Sequence, residues 1–109
     1  MADIENFHAH IYFDAHEIGA ARALAAEAQA RFGVAVGRFH ERPVGPHPRG
    51  SCQLTVAPER FGDFALWAMV NRANLTIFAH ATTGDEIADH TSHVIWFGPS
   101  EALDLTVLS

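Results

Sequence analysis

One pattern occurs twice in this chain: an alternating strand, a helical stretch and a second strand, over residues 7–40 and again over residues 51–80. The first strand shows the alternation most plainly. In Phe7–Phe13, Phe7, Ala9, Ile11 and Phe13 fall on one side and His8, His10 and Tyr12 on the other. Successive strand residues point to opposite faces, so this strand has one apolar and one polar face. Asp14 follows as a helix N-cap, and Glu17, three residues on, completes a capping-box pair. Ala15–Phe32 is Ala-rich. Its Ile18, Ala21, Arg22, Leu24, Ala25, Ala28 and Phe32 form a helical stripe in which Arg22 alone is polar. Gly33 is a stop signal, and Val34–His40 reads as the second strand.

The second unit repeats the order. Ser51–Ala57 alternates, with Cys52, Leu54 and Val56 on the apolar side. Pro58 suits the first position of a helix predicted over Glu59–Ala73. Leu75–His80 is the fourth strand, with Leu75, Ile77 and Ala79 opposite Thr76, Phe78 and His80. Between the units, Glu41–Gly50 holds three Pro and two Gly and is a stiff loop. Beyond residue 80 the pattern predicts a turn over Thr82–Asp85, a short helix over Glu86–His93 and a terminal strand over Leu103–Leu108.

A βαββαβ order predicts an α+β, ferredoxin-like sandwich: an antiparallel sheet in strand order 4-1-3-2 with helices on one face. The 109 residues suit a single domain, residues 1–109. The apolar strand residues then face the helices. His8, His10, Tyr12, Gln53, Thr55, Thr76, Phe78 and His80 occupy the open face.

That assignment gives meaning to an unusual count, eight histidines. Strand 4 lies antiparallel beside strand 1, so His80 meets His8 and His10. Two histidines at i, i+2 share a strand face roughly 7 Å apart, and a third from the neighbouring strand completes a workable metal bite. The Pro-rich loop is expected at the same end of the sheet, bringing His47 and the strand-2 residue His40 to one rim. In Asp89-His90 the carboxylate could orient the imidazole or ligate a metal. Arg38 could hold a substrate carboxylate bidentately. Cys52 is expected to be inert in the core, and Trp67 and Trp96 to serve packing. His16 and His93 are expected to have no chemical role.

Other classes are disfavoured. All seven basic residues are Arg, which excludes a lysine Schiff base and a P-loop lysine. The basic set offers Arg38, Arg42, Arg49 and Arg72 as cations for an acidic substrate. One Cys excludes an internal disulfide and a Cys-only zinc site. A net charge of -6 argues against nucleic acid or an anionic membrane as partner. No apolar run approaches the roughly 20 residues of a membrane span. The polar, acidic start lacks a targeting pattern, so a cytoplasmic location is expected.

Taken together, several segments resemble the DOPA 4,5-dioxygenase family of small extradiol, ring-cleaving dioxygenases. They are His8-Ala9-His10-Ile11-Tyr12-Phe13-Asp14, Gly37-Arg38, and the distinctive Arg42-Pro43-Val44-Gly45-Pro46-His47-Pro48. Asn71-Arg72, Leu75-Thr76-Ile77, His80, Thr83-Gly84-Asp85, Asp89-His90 and Trp96-Phe97-Gly98 follow in order. Ala81 and Phe97 depart from the family pattern, which has Pro and more often an aliphatic residue there, but neither is a candidate ligand. The resemblance implies a mononuclear non-haem iron, Fe(II), and oxidative cleavage of a catechol such as a 3,4-dihydroxyphenyl compound by O2. Zinc or another divalent metal could replace iron in a recombinant sample.

On that reading His8, His10 and His80 are the metal ligands, leaving positions for a catechol and O2. A carboxylate from Asp85 or Asp89 is the other possible ligand. His47 or His90 serves as base and later as acid. Arg38 holds a substrate carboxylate, and Tyr12 and Phe78 wall the ring. A homodimer packing near the open face would shield it from water. The alternative is a non-enzymatic metal- or ligand-binding dimeric α+β module, and a third reading is a structural domain with surface histidines.

Overall fold

In the computed structural model, which describes residues 3–108, the repeated pattern becomes two strand–helix–strand units followed by a short helix and an edge strand. The elements are β1 (Asn6–Tyr12), α1 (Ile18–Phe32), β2 (Ala35–His40), β3 (Ser51–Val56), α2 (Pro58–Asn71), β4 (Thr76–Thr82), α3 (Glu86–Thr91) and β5 (Val94–Phe97). The strands form one antiparallel sheet in the order β2-β3-β1-β4-β5. This is the expected four-strand order with β5 added beside β4.

The alternation assigns the core correctly. Ala9, Ile11, Phe13, Cys52, Leu54, Val56, Leu75, Ile77 and Ala79 pack in one cluster with Ala21, Leu24, Ala25 and Ala28 of α1 and Phe61, Phe64 and Ala68 of α2. Phe7 joins its edge, its ring stacked 3.9 Å from that of Phe61. Burial raises the Cys52 thiol to about 11, which keeps it a thiol and inert. Trp67 packs on Phe32 and Phe64 and donates to Glu27 Oε2 at 3.1 Å.

Helix ends follow their signals. The Glu17 side chain accepts from the Asp14 N–H at 2.8 Å, but the first turn, Ala15–Glu17, is 3-10 and α1 proper begins at Ile18. Gly33 takes the left-handed conformation, φ 66°, that ends α1. Pro58 opens α2 as expected. That helix stops at Asn71 rather than Ala73, because Ala73 turns the chain with φ 54°.

One expectation about the C-terminal third is corrected. Leu103–Leu108 is not a strand; Leu105–Val107 forms a 3-10 turn. Asp104 explains this, since its carboxylate accepts from the Thr106 N–H at 3.1 Å and hydroxyl at 2.6 Å, local bonds that compete with a sheet ladder. The fifth strand is instead Val94–Phe97. Its Phe97 is buried in the core, whereas Trp96 lies across from Phe78 on the other face.

Core packing sets a stability test. Phe64 is fully buried, with the rings of Phe32, Phe61 and Trp67 within 5.9–6.1 Å. Phe64→Ala should destabilise by about 3–5 kcal/mol, measured as a lower urea midpoint at unchanged slope. A loss under about 1 kcal/mol would contradict this packing.

Candidate metal centre

The β1–β4 register builds the site. His8 lies directly opposite His80, and His10 opposite Phe78. Residues on the non-helical face of β1 and β4 therefore put three imidazoles side by side. His10 Nε2 and His80 Nε2 face each other at 3.2 Å. Two nitrogens each ~2.1 Å from one ion, at angles of ~90–109°, would be ~3.0–3.4 Å apart, so this pair fits a shared ion. His8 completes the group: ligand atoms of His8, His10 and His80 all lie within 4.8 Å of one another. Three histidines here could bind a metal ion.

The donor set suits that role chemically. His80 Nδ1 donates to the Ala81 carbonyl at 2.9 Å, which leaves its Nε2 as the free lone pair. Burial and then the neighbouring imidazoles hold His10 well below its ordinary range. Burial likewise lowers His80 to about 4, against the opposing effect of the Ala81 bond. His8, half-buried, is lowered by burial and by His90. The three rings are neutral near pH 7, as metal ligation requires.

Neither candidate carboxylate joins them. Asp85 caps α3, accepting from the Ala88 N–H at 3.1 Å. Asp89 is buried and accepts from the Thr83 N–H at 2.7 Å and hydroxyl at 2.6 Å. It also meets His93 Nδ1 at 2.8 Å. Burial opposes its ionisation, but the Thr83 bonds and His93 outweigh it and hold the carboxyl below its usual range. Asp89 therefore pairs with His93, not with His90, and His93 does take part in the structure.

Two further histidines cover the group. The ring of His47 lies 4.0 Å from that of His10, and the ring of His90 lies 4.2 Å from that of His80. The route of His47 differs from the expected one. The 41–50 loop leaves the sheet at the Tyr12 end, where Tyr12 and His40 both pair with Ser51. It then folds back over the face, so His47 reaches the centre of the sheet. His40 also sits at the Tyr12 end, away from His8, and the single histidine rim is replaced by a cluster on the mid-sheet face. Burial, reinforced by the surrounding imidazoles, lowers His47 to about 4. His90 Nδ1 donates to the Glu86 carbonyl of its own helix at 2.7 Å.

Aromatic residues line the same face. Phe78 is fully buried, 4.5 Å from the Trp96 ring and 5.5 Å from that of His80. Tyr12 is also fully buried, its hydroxyl 2.7 Å from His47 Nδ1. Trp96 does pack, as expected, but on the site face, 6.0 Å from the Tyr12 ring. Its place there could not be read without β5.

A hollow of about 240 Å³ opens on either side of the group. One is lined by His10, Arg38, His40, His47 and Gln53. The other is lined by Glu5, His8, His80, Glu86 and His90. Both are smaller than the roughly 300–1,000 Å³ of drug-sized ligand pockets and suit a small ring. Among the four candidate cations, Arg38 is the one lining a hollow here. Arg49 is engaged by Glu101 at 2.8 Å and Asp14 at 3.2 Å, and Arg72 donates to the Leu75 carbonyl at 2.9 Å.

The lowered histidines predict an acid-sensitive fold. His47 and His80 resist protonation down to about 4 when folded, whereas the unfolded chain protonates them near 6.5. Below pH 6.5 the unfolded state therefore binds more protons, and stability falls until pH approaches 4. At pH 5 the loss is on the order of 2 kcal/mol for each histidine. Urea midpoints of chelator-treated protein at pH 7.5 and 5 check this; equal stability at both would contradict the buried, neutral rings.

The family model described as "Dopa 4,5-dioxygenase family" matches residues 7–107. A DOPA 4,5-dioxygenase of Amanita muscaria is 34% identical over 98% of this chain, which aligns to 51% of that protein. An uncharacterized 21.2 kDa protein of Botryotinia fuckeliana is 38% identical over 65% of this chain and 43% of its own length. The chain thus spans about half the length of the curated relatives it matches. Among solved structures, a "putative dioxygenase" of Nostoc punctiforme superposes with a TM-score of 0.92 at 39% identity, covering 95% of this chain and 90% of that one. With the histidine cluster on the sheet face and a match along nearly the whole sequence, the chain belongs to the Dopa 4,5-dioxygenase family.

Proposed function

We propose that this protein is an extradiol dioxygenase that binds Fe(II) through His8, His10 and His80 and opens the ring of a catechol with O2. The observation that carries the reading is the three-histidine group on the β1–β4 face, with two further imidazoles against it and family membership behind it. Neutral imidazoles suit iron as well as zinc. Of these, an Fe(II) ion bound there would supply the redox-active centre that joins a catechol to O2.

The chain's own residues supply the rest. His47 and His90 handle the catechol proton, as acid and base, from opposite sides of the group. Arg38 lines the hollow beside His10 and His47 and holds a carboxylate on the substrate. Phe78 and Trp96 form an apolar floor beneath the ring, and Tyr12 contributes through its bond to His47. A homodimer belongs to the same proposal, but its surface differs from the site face first expected. Exposed Leu66, Met69 and Val70 on α2 and Ile95 on β5 lie on the helix side of the sheet and offer apolar surface for a second copy.

The decisive experiment is anaerobic reconstitution of tag-free protein with Fe(II), then addition of a 3,4-dihydroxyphenyl compound and air. A yellow ring-opened product with matching O2 uptake is expected. Bound iron without either, across a panel of catechols, would leave the non-enzymatic binding module as the better reading. His10→Ala and His80→Ala should each lose metal, and full occupancy in both would remove them as ligands. Arg38→Ala should raise KM at least about tenfold for carboxylated catechols and leave kcat within about twofold. An unchanged KM would take Arg38 out of the substrate site.

A further inference from the structure

His47 and His90 flank the histidine group from opposite sides, and each is held by a single short bond at Nδ1. The two bonds run in opposite senses. His90 Nδ1 lies 2.7 Å from the Glu86 carbonyl oxygen. A carbonyl only accepts, so Nδ1 carries the proton and Nε2 of the neutral ring keeps its lone pair.

At His47 the partner is a hydroxyl. Tyr12 Oη lies 2.7 Å from His47 Nδ1. Tyr12 is fully buried, and among the described residues His47 is the one hydrogen-bond partner of its hydroxyl. A buried O–H needs an acceptor. Were His47 Nδ1 the donor, the Tyr12 proton would be left without one, at about 1–3 kcal/mol. Tyr12 therefore donates, His47 Nδ1 accepts, and the neutral His47 ring carries its proton on Nε2.

We propose that His90 and His47 are locked in opposite tautomers, with His90 the proton acceptor of the site, His47 its hydrogen-bond donor, and Tyr12 the positioning residue that sets His47. The chemical meaning rests on the dioxygenase reading; the tautomers do not. In activation of a catechol, the substrate O–H bond breaks, its proton forms an N–H bond at His90 Nε2, and the electron pair stays on oxygen. His47 offers its Nε2–H to an oxygen lone pair on the other side. The division is written in the fold: His90 is tied to its own helix α3, and His47 to the last residue of β1.

Long-range ¹H–¹⁵N spectra of metal-free, ¹⁵N-histidine-labelled protein at about pH 8 test the assignment, with His47→Gln and His90→Gln identifying the signals. The wild-type protein should show His47 protonated at Nε2 and His90 at Nδ1. Tyr12→Phe should convert His47 to a mixture of tautomers and leave the His90 pattern unchanged, which also reports that the fold persists. In the iron-loaded enzyme the same variant should lower kcat at least about tenfold, with KM and bound iron within about twofold. One shared tautomer in the wild type, or an unaltered His47 pattern in Tyr12→Phe, overturns the proposal. Opposite tautomers in a protein that turns over no catechol would uphold it and overturn the dioxygenase reading instead.

Discussion

The pairing of β1 with β4 is the constraint on which the site depends. β1 is the central strand, hydrogen-bonded to β3 on one side and β4 on the other. Its register sets His8 against His80 and Ala9 against Ala79. A slip of one residue would exchange faces, driving the histidines into the helix layer and Ala9 and Ile11 into the site. Burial of the apolar face under α1 and α2 forbids that slip. The hydrophobic core on one side of the sheet thus fixes the geometry of the histidine group on the other, with no bond between them.

That second face is not left open. The Pro-rich loop, α3, Trp96 and the C-terminal segment cover it, and His10, Tyr12, His47, Phe78 and His80 are all buried. Two contacts hold the cover in place. Arg49 ties Glu101 to Asp14, joining the C-terminal segment to the end of β1, and the Asp104 N–H donates to the Pro46 carbonyl at 2.9 Å beside His47. The same cover desolvates the imidazoles and keeps them neutral, so enclosure and readiness to bind a cation have one cause.

The sequence was most legible where one face is apolar and the other is not. Alternation in Phe7–Phe13 and Leu75–His80 assigned the β1 and β4 residues of the site to their faces, and the order of elements brought His80 to His8. β5 was not legible, because Val94-Ile95-Trp96-Phe97 is apolar throughout and lacks the period of a half-buried strand. The path of the 41–50 loop was illegible for another reason: its prolines announce stiffness but not direction. Asp89 was read against its neighbour His90, yet adjacent residues on a helix diverge, and its true partner is His93, four residues on. The bond between Tyr12 and His47 joins positions 35 residues apart, which periodicity does not address.

The position of Asp89 has a further consequence for the charge of the site. A carboxylate ligand would bring a negative charge to the ion, but this one is bound to Thr83 and His93 and anchors α3, which carries His90. On the proposed reading the ligand group is then the three neutral imidazoles, which bring no charge of their own. A divalent ion held there keeps both positive charges in a face largely closed to water, where unbalanced charge is expensive. Asp89 still acts on His8 and His80 through space and, with Glu5 and Glu86, lines the adjoining hollow. On the proposed reading, an anionic oxygen on the ion itself comes from the substrate, which a catechol provides on losing a proton. On the proposed reading, then, the anchoring of α3 by Asp89 and the place left on the ion for an acidic, oxygen-donating substrate are two results of one choice of partners.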